Sequence, residues 1–310
     1  MAASTATAPG GAGAKRRRLP RFALAVPAWV WFVLFFVIPV MWIVFYAIWG
    51  FKPDPFTPIE IGSPTLQNFK DAMTGTFLRT FRGTLQISIV GTILCLVIGF
   101  PFAYWLAVKV SPRWRGLGFA LVIIPFWTNF LIRTLGWRIF LAPEGPGASF
   151  LQAIGVLDGP LRVLDTRAAV QLGVVYNYLP LMIFPLFVAL DRLDPSLREA
   201  SKDLGASRFT TFRQVTLPLA MPGVVAGLLL VFIPLTGDFI TAAILGGAKG
   251  NMVGNMVFGR FLVAQNWAQG SAMAILLIGM ILITLGVFAA IGLGIRAIVR
   301  RRRSVAMVGA

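Results

Sequence analysis

Residues 191–222 read DRLDPSLREASKDLGASRFTTFRQVTLPLAMP, and the rest of the chain is best understood outward from this stretch. It holds nine charged side chains, yet Leu193, Leu197, Ala200 and Leu204 recur at spacings of 4, 3 and 4 residues, which puts them on one helical face. Asp194 stands where a helix N-cap belongs, with Pro195 at the first helical position, where its missing N–H costs nothing. Gly205 ends that helix, because the left-handed residue just past a last turn is least strained without a Cβ. A second helix is predicted from a Ser207 cap, with Phe209, Phe212 and Val215 as its apolar stripe and Pro218 as its end. The stretch therefore reads as structured, amphipathic and in contact with water.

Its surroundings are the opposite. Six charge-free runs cover Phe22 to Phe51, Gly83 to Val108, Gly116 to Ile132, Ala168 to Leu190, Gln214 to Gly237 and Phe261 to Ile295. Each reaches or approaches the ~20 apolar residues that carry an α-helix across a hydrocarbon core of ~30 Å, where every backbone polar group must be paired internally. The 310 residues are 57% hydrophobic and 13% charged, with a mean hydropathy of +0.81, so the expected fold is all-α, a polytopic membrane protein with six spans. A transmembrane β-barrel would show short alternating segments instead.

Composition also closes off chemistries. With no histidine and one cysteine, Cys95 inside the second run, the chain lacks His/Cys metal clusters, an internal disulfide, and the base that a Ser/His or Cys/His nucleophile needs. An intramembrane aspartyl dyad needs two carboxylates, and only Asp238 is placed for one. No G-x-x-x-x-G-K-[ST] loop occurs, and Gly246-Gly247-Ala248-Lys249-Gly250 fails that spacing. No cofactor is expected on this chain, and no catalytic residue.

The net charge of +17 follows topology. With the N-terminus inside, the cytoplasmic segments hold 18 of the 28 Lys and Arg, among them Lys15 to Arg18, Arg113, Arg115, Arg208 and Arg300 to Arg303. That bias predicts N-in, C-in and an even number of spans. The terminal clusters read as anchors beside anionic lipid, and nucleic acid is not expected because no basic patch is interleaved with aromatics. The organisation is a disordered basic cytoplasmic tail over 1–21, a six-span domain over 22–300 with the loop 191–222 on its cytoplasmic side, and a cytoplasmic tail over 301–310. Outer connections occupy 50–82, with a short helix near Leu66 to Met73, and Leu141 to Arg167.

The loop also carries a motif: Glu199-Ala200-Ser201, three residues, Gly205, nine residues, Val215, one residue, then Leu217-Pro218. It resembles the EAA loop of ABC-importer permeases, with Ser201 in place of Ala and Val215 in place of Ile. Further likeness to polyamine permeases of the spermidine and putrescine type lies in Pro125-Phe126-Trp127 through Trp137, Asn177-Tyr178-Leu179-Pro180, Phe232 through Phe239, and Leu245-Gly246-Gly247 through Asn255. The resemblance covers about residues 20–300. It implies the type I ABC-importer permease fold in a bacterial inner membrane, with Glu199, Ala200, Ser201, Gly205, Leu217 and Pro218 in an element that docks a cytoplasmic ATPase dimer. ATP and Mg would be bound by that partner. It implies also a second permease subunit, paralogue or copy, an external solute-binding protein, and a polyamine cargo, with an amino acid derivative, a sugar or an inorganic ion as the alternative.

An ionisable group within a span marks a pathway or a pair. Sixteen residues beyond Pro222, Asp238 lies about 24 Å along a helix, and Pro234 and Gly237 predict that the helix breaks beside it. A carboxylate with Phe239 and Trp127 nearby would hold an ammonium group by charge and cation–π attraction. Arg133, about 26 Å from Gly116 along the third run, reaches similar depth and would instead pair with Asp238. Both readings are open from sequence.

Overall fold

The protein is described here by a computed structural model covering residues 21–52 and 57–308. The expected tail over 1–21 lies outside the described residues except for Arg21, where helix begins. Strands β1 (Gly50–Phe51) and β2 (Glu60–Ile61) form one short antiparallel ribbon with Gly50 opposite Ile61. The helices are α1 (21–49), α2 (Gln67–Ala72), α3 (Gly75–Lys109), α4 (Pro112–Trp127), α5 (Phe130–Phe140), α6 (Pro146–Ala153), α7 (Arg167–Asp191), α8 (Pro195–Asp203), α9 (Arg208–Thr236), α10 (Ile240–Leu245), α11 (Val253–Val263) and α12 (Trp267–Val308). Five of these are long and apolar enough to cross a membrane, and there are six if α4 and α5, bent by 89° at their junction, count as one span. All the expected runs are therefore helical.

The chain forms two compact units, divided within α1 after Phe45. In the first, aromatic rings four residues apart meet along one helix: Trp31 with Phe35 at 4.1 Å and Phe32 with Phe36 at 5.0 Å. The second unit is built on α3, α7 and α9. Its core joins Ile87, Cys95 and Ala103 to Val174, Met182 and Leu186, and to Val224, Val231 and Leu235. Helices in lipid gain little from apolar burial alone, so close contact must supply the attraction. Gly223 is where α9 approaches α7: a Cβ there would lie 2.4 Å from the Ala189 Cβ and 2.7 Å from the Pro185 carbonyl oxygen. Gly227, four residues on, makes the same close approach, with a Cβ there 2.7 Å from the Met182 sulfur.

Four boundaries differ from the sequence reading, each for a local reason. The second span begins at Gly75 rather than near Gly83, because Thr74 caps it by accepting from the Phe77 N–H at 3.2 Å, and Arg79 and Arg82 continue the helix. The third run is not one straight helix. The Thr128 hydroxyl donates to the Pro125 carbonyl at 2.7 Å, and the Asn129 side chain accepts from Leu131 and Ile132 N–H groups at 2.8 and 3.3 Å, starting a new helix in another direction. The depth inferred for Arg133 from 1.5 Å per residue therefore does not hold. The second loop helix does not end at Pro218 either. A π-helical turn, Phe212–Thr216, widens the backbone just before it, with the Leu217 N–H bonding to the Phe212 carbonyl, and the proline is carried into α9. Finally, the sixth run is interrupted at Ala264 to Asn266, where Gln265 has φ +50, and α12 starts at Trp267 and runs as helix through Arg300 to Val308, within the segment expected to be a tail.

Candidate functional site

Two places carry the residues singled out by sequence. The first is the charged loop. The Asp194 carboxylate accepts from the Ser196 N–H at 2.9 Å, which caps α8 and holds this carboxyl below its ordinary range. Glu199, Ala200 and Ser201 lie on α8 as expected. Gly205 has φ +80, and the Gly205 and Ala206 N–H groups bond back to the Lys202 and Ser201 carbonyls at 2.8 and 3.1 Å, so the chain reverses there. Ser207 caps the next helix by accepting from the Thr210 N–H at 3.2 Å. At the loop's base, Asp191 pairs with Arg115 at the start of α4, 2.7 Å apart.

The turn folds α8 against the start of α9. The Ser201 and Thr211 hydroxyls lie 3.0 Å apart, one donating to the other, which gives the Ser201 hydroxyl its partner. Phe212 then sets its ring edge-to-face on Phe100 and Tyr104 of α3, at 5.7 and 6.0 Å, so the loop is tied to two spans at once. Leu193 packs against the core, while Leu197, Leu204 and Phe209 are exposed. Leu204 is 89% exposed, Phe209 71% and Leu197 46%. Arg198, Glu199, Lys202 and Asp203 frame this crest, and none of the four forms an ion pair among the described residues. Leu217 is half-buried and Pro218 exposed at the α9 end. An apolar crest with a charged rim has the anatomy of a protein interface.

The second place is where α9 ends. The helix stops at Thr236, as Pro234 and Gly237 led us to expect, and Asp238 lies in the break before α10, 6% exposed. Its Oδ1 accepts from the Thr241 N–H at 3.0 Å, and the Tyr178 hydroxyl faces the same carboxylate. Arg133 does not form an ion pair with it. Instead the guanidinium donates to the Pro125 carbonyl at 3.3 Å and lies over the rings of Phe126 and Phe130 at 5.1 and 5.8 Å. Tyr178, on α7, stands beside both groups. The aromatics proposed as Asp238's companions are elsewhere: Phe239 stacks on Phe258 at 4.9 Å, and Trp127, the last residue of α4, is 82% exposed.

Sequence reasoning missed the neighbours that the fold gathers here. Asn177 on α7 donates to Thr134 at 3.1 Å and to Thr241 at 3.4 Å, and all three are buried. Asn177 and Thr134 each lie within or beside an apolar run, so polar residues inside spans were the available clue; their convergence depends on the bend at Thr128 and Asn129, which hydropathy does not show. Cys95 is buried, with its Sγ 3.7 Å from the Val175 carbonyl.

Comparison with known proteins fits this architecture. The family described as binding-protein-dependent transport system inner membrane component matches residues 99–305. The chain is 40% identical over 245 residues to the spermidine/putrescine transport system permease protein PotB of Haemophilus influenzae, covering 79% of this chain and 84% of that protein. It is 32% identical over 278 residues to the inner membrane ABC transporter permease protein YdcU of Escherichia coli, covering 85% and 86%. Among solved structures, a bacterial alginate ABC transporter in complex with an alginate-bound periplasmic protein shares the fold at TM-score 0.66 and 18% identity, over 84% of this chain and 90% of that one. The MetNI methionine ABC transporter in an inward-facing conformation follows at 0.55 and 20%, over 71% and 97%. Long apolar helices, a sharply bent helix pair and a structured polar loop thus belong to a chain that is a member of the binding-protein-dependent transport system inner membrane component family, an ABC-importer permease of type I fold.

Proposed function

We propose that this chain is the non-catalytic permease subunit of an ATP-driven importer of polyamines, spermidine or putrescine. The observation that carries the coupling role is the exposed crest of Leu197, Leu204 and Phe209 framed by Arg198, Glu199, Lys202 and Asp203. A cytoplasmic ATPase dimer would bury that crest, bind ATP and Mg itself, and move α8 as it closes. The Ser201–Thr211 bond and the Phe212 ring would pass that movement to α9 and α3. Likeness to permeases named for spermidine and putrescine supports the cargo.

In this reading both termini are cytoplasmic, the protein sits in a bacterial inner membrane among anionic lipid, and a second permease subunit completes the path to which an external solute-binding protein delivers cargo. Asp238 is a pathway carboxylate, and the absence of an ion pair to Arg133 supports that role over a structural pair. Arg133 flanks the same route, whereas the Phe239 and Trp127 rings, set away from the carboxylate, would meet cargo at other points along it. The coupling role is tested with Glu199→Lys combined with Gly205→Pro: the ATPase should no longer co-purify and uptake should stop. Retained ATPase and uptake would refute the assignment of the loop. Asp238→Asn should lower uptake while leaving membrane level and ATPase assembly intact; loss of the folded protein would count for a structural role instead.

A further inference from the structure

Helix ends favour one sign of charge: cations suit the C-terminal carbonyls and carboxylates the N-terminal amides. Two side chains beside the charged loop stand at the wrong ends. Asp191 is the last residue of α7, so its carboxylate meets the negative end of that helix, and Arg115 lies in the first turn of α4, at the positive end. Each is offset by the other. The Arg115 Nη1 lies 2.7 Å from Asp191 Oδ1, and Nε of the same guanidinium donates at 3.0 Å to the carbonyl of Val110, the C-cap of α3. One planar group thus joins the ends of α3 and α7 to the start of α4. Locally unfavourable residues that meet in the fold are where function is to be sought.

Of the nine charged side chains in 191–222, Asp191 is the one with an ion pair among the described residues. The side chains are 27% and 39% exposed, so the pair adds little to stability, and what it supplies is position. That matters for α4, which has no buried residue. Its other polar-side anchorage is Phe119, one turn beyond Arg115, whose ring lies 5.8 Å from that of Phe184 and 5.1 Å from that of Phe187 on α7. At its far end α4 turns by 89° into α5, which carries Arg133 and Thr134. On the loop side, Asp191 is three residues before the Asp194 cap of α8, and Leu193 between them is packed on the core, so little slack separates the ion pair from α8. A path from α8 to the bent helix pair therefore runs through Asp191 and Arg115, separate from the one through Phe212 to α3.

We propose that Arg115 and Asp191 are a positioning pair that passes movement of the coupling loop to α4 and, through the bend, to α5. This rests on the coupling role given to the loop above and adds a second route to it. Neither residue touches cargo or nucleotide; each acts by holding α4 in register with the loop.

The test uses the complete transporter in proteoliposomes, with its ATPase and external binding protein, and measures labelled putrescine uptake and ATP hydrolysis together. Arg115→Glu and Asp191→Arg each set like charges against one another, whereas the two combined restore the pair with each charge at the helix end that favours it. Asp191→Asn removes the attraction at nearly constant shape and serves where a reversal fails to assemble. Uptake per ATP hydrolysed should fall at least ~5-fold in each reversal, the lower end of coupling between sites, with the ATPase still co-purifying. It should fall in Asp191→Asn also, and recover when the two reversals are combined. A native ratio in the single variants would overturn the assignment, as would a combination no better than either reversal. Loss of assembly in every variant would mark a purely structural pair and overturn it too. If the native chain held no ATPase, or hydrolysis drove no uptake, the coupling or the polyamine reading would itself fall, and this assignment with it.

Discussion

Gly205 and Asp194 show how much of the loop rests on single side chains. At Gly205 a Cβ would meet nothing within 4 Å, so the demand on this residue is conformational only, set by φ +80. Gly205→Val should weaken ATPase co-purification by about 1–2 kcal/mol, whereas Gly205→Asn, which tolerates left-handed backbone, should cost less than half as much. Equal losses would show that the turn does not depend on backbone sterics. Asp194 gives a pH dependence with a definite sign. The Ser196 N–H holds its folded carboxyl below the ordinary value, so capping stabilises α8 above the unfolded carboxyl's range and is lost as pH falls through the folded one. Amide exchange in the first turn of α8 should therefore speed up, beyond the intrinsic pH trend, on acidification, and Asp194→Asn should abolish that excess. The caps at Asp194 and Ser207 and the turn at Gly205 were legible in sequence because each is set by residues within four positions. The Ser201–Thr211 bond was not, since it joins residues across a turn whose geometry had first to be known.

Between helices, the energetics are those of close approach. Gly223→Leu should destabilise the purified protein by about 1–3 kcal/mol, because a side chain there must displace Ala189 and the Pro185 backbone; Gly116→Leu, with open space around it, should leave the thermal midpoint unchanged. If both variants melted alike, the contact between α7 and α9 would not be a tight one. Phe212 predicts a different phenotype. Its ring spans from the loop to α3, so Phe212→Ala should keep the ATPase bound while lowering uptake, as expected of a lost mechanical link; retained uptake would remove Phe212 from the route. Helix existence was readable throughout from charge-free runs. Interruptions were readable only where glycine and proline signal them together, as at Pro234 and Gly237. The bend after Trp127 rests on Thr128 and Asn129 closing local hydrogen bonds, and the extension through Pro218 on a π turn, and neither changes hydropathy.

The most exposed apolar loop residues, Leu204 and Phe209, are where the proposed coupling partner would bury surface. Topology is checkable because Cys95 is the chain's one cysteine and is buried. Cysteines introduced at Ser196 and at Asp158 should react with a membrane-impermeant maleimide from opposite sides, Asp158 from outside intact cells and Ser196 only after permeabilisation; the reverse pattern would invert the assigned orientation. Function at the level of class was legible from one loop, whose spacing set the family before any geometry was known. The polar group around Asn177 and Asp238 was not, because it draws residues from α5, α7 and the α9–α10 break that are distant in sequence. The most direct test of the whole account is uptake of labelled spermidine and putrescine in cells carrying the complete transport operon, with and without this chain, under competition by unlabelled solutes. The account predicts uptake that requires the chain and is blocked by polyamines alone. Equal uptake with the chain deleted, or none with it present while the ATPase remains bound, would contradict a polyamine permease.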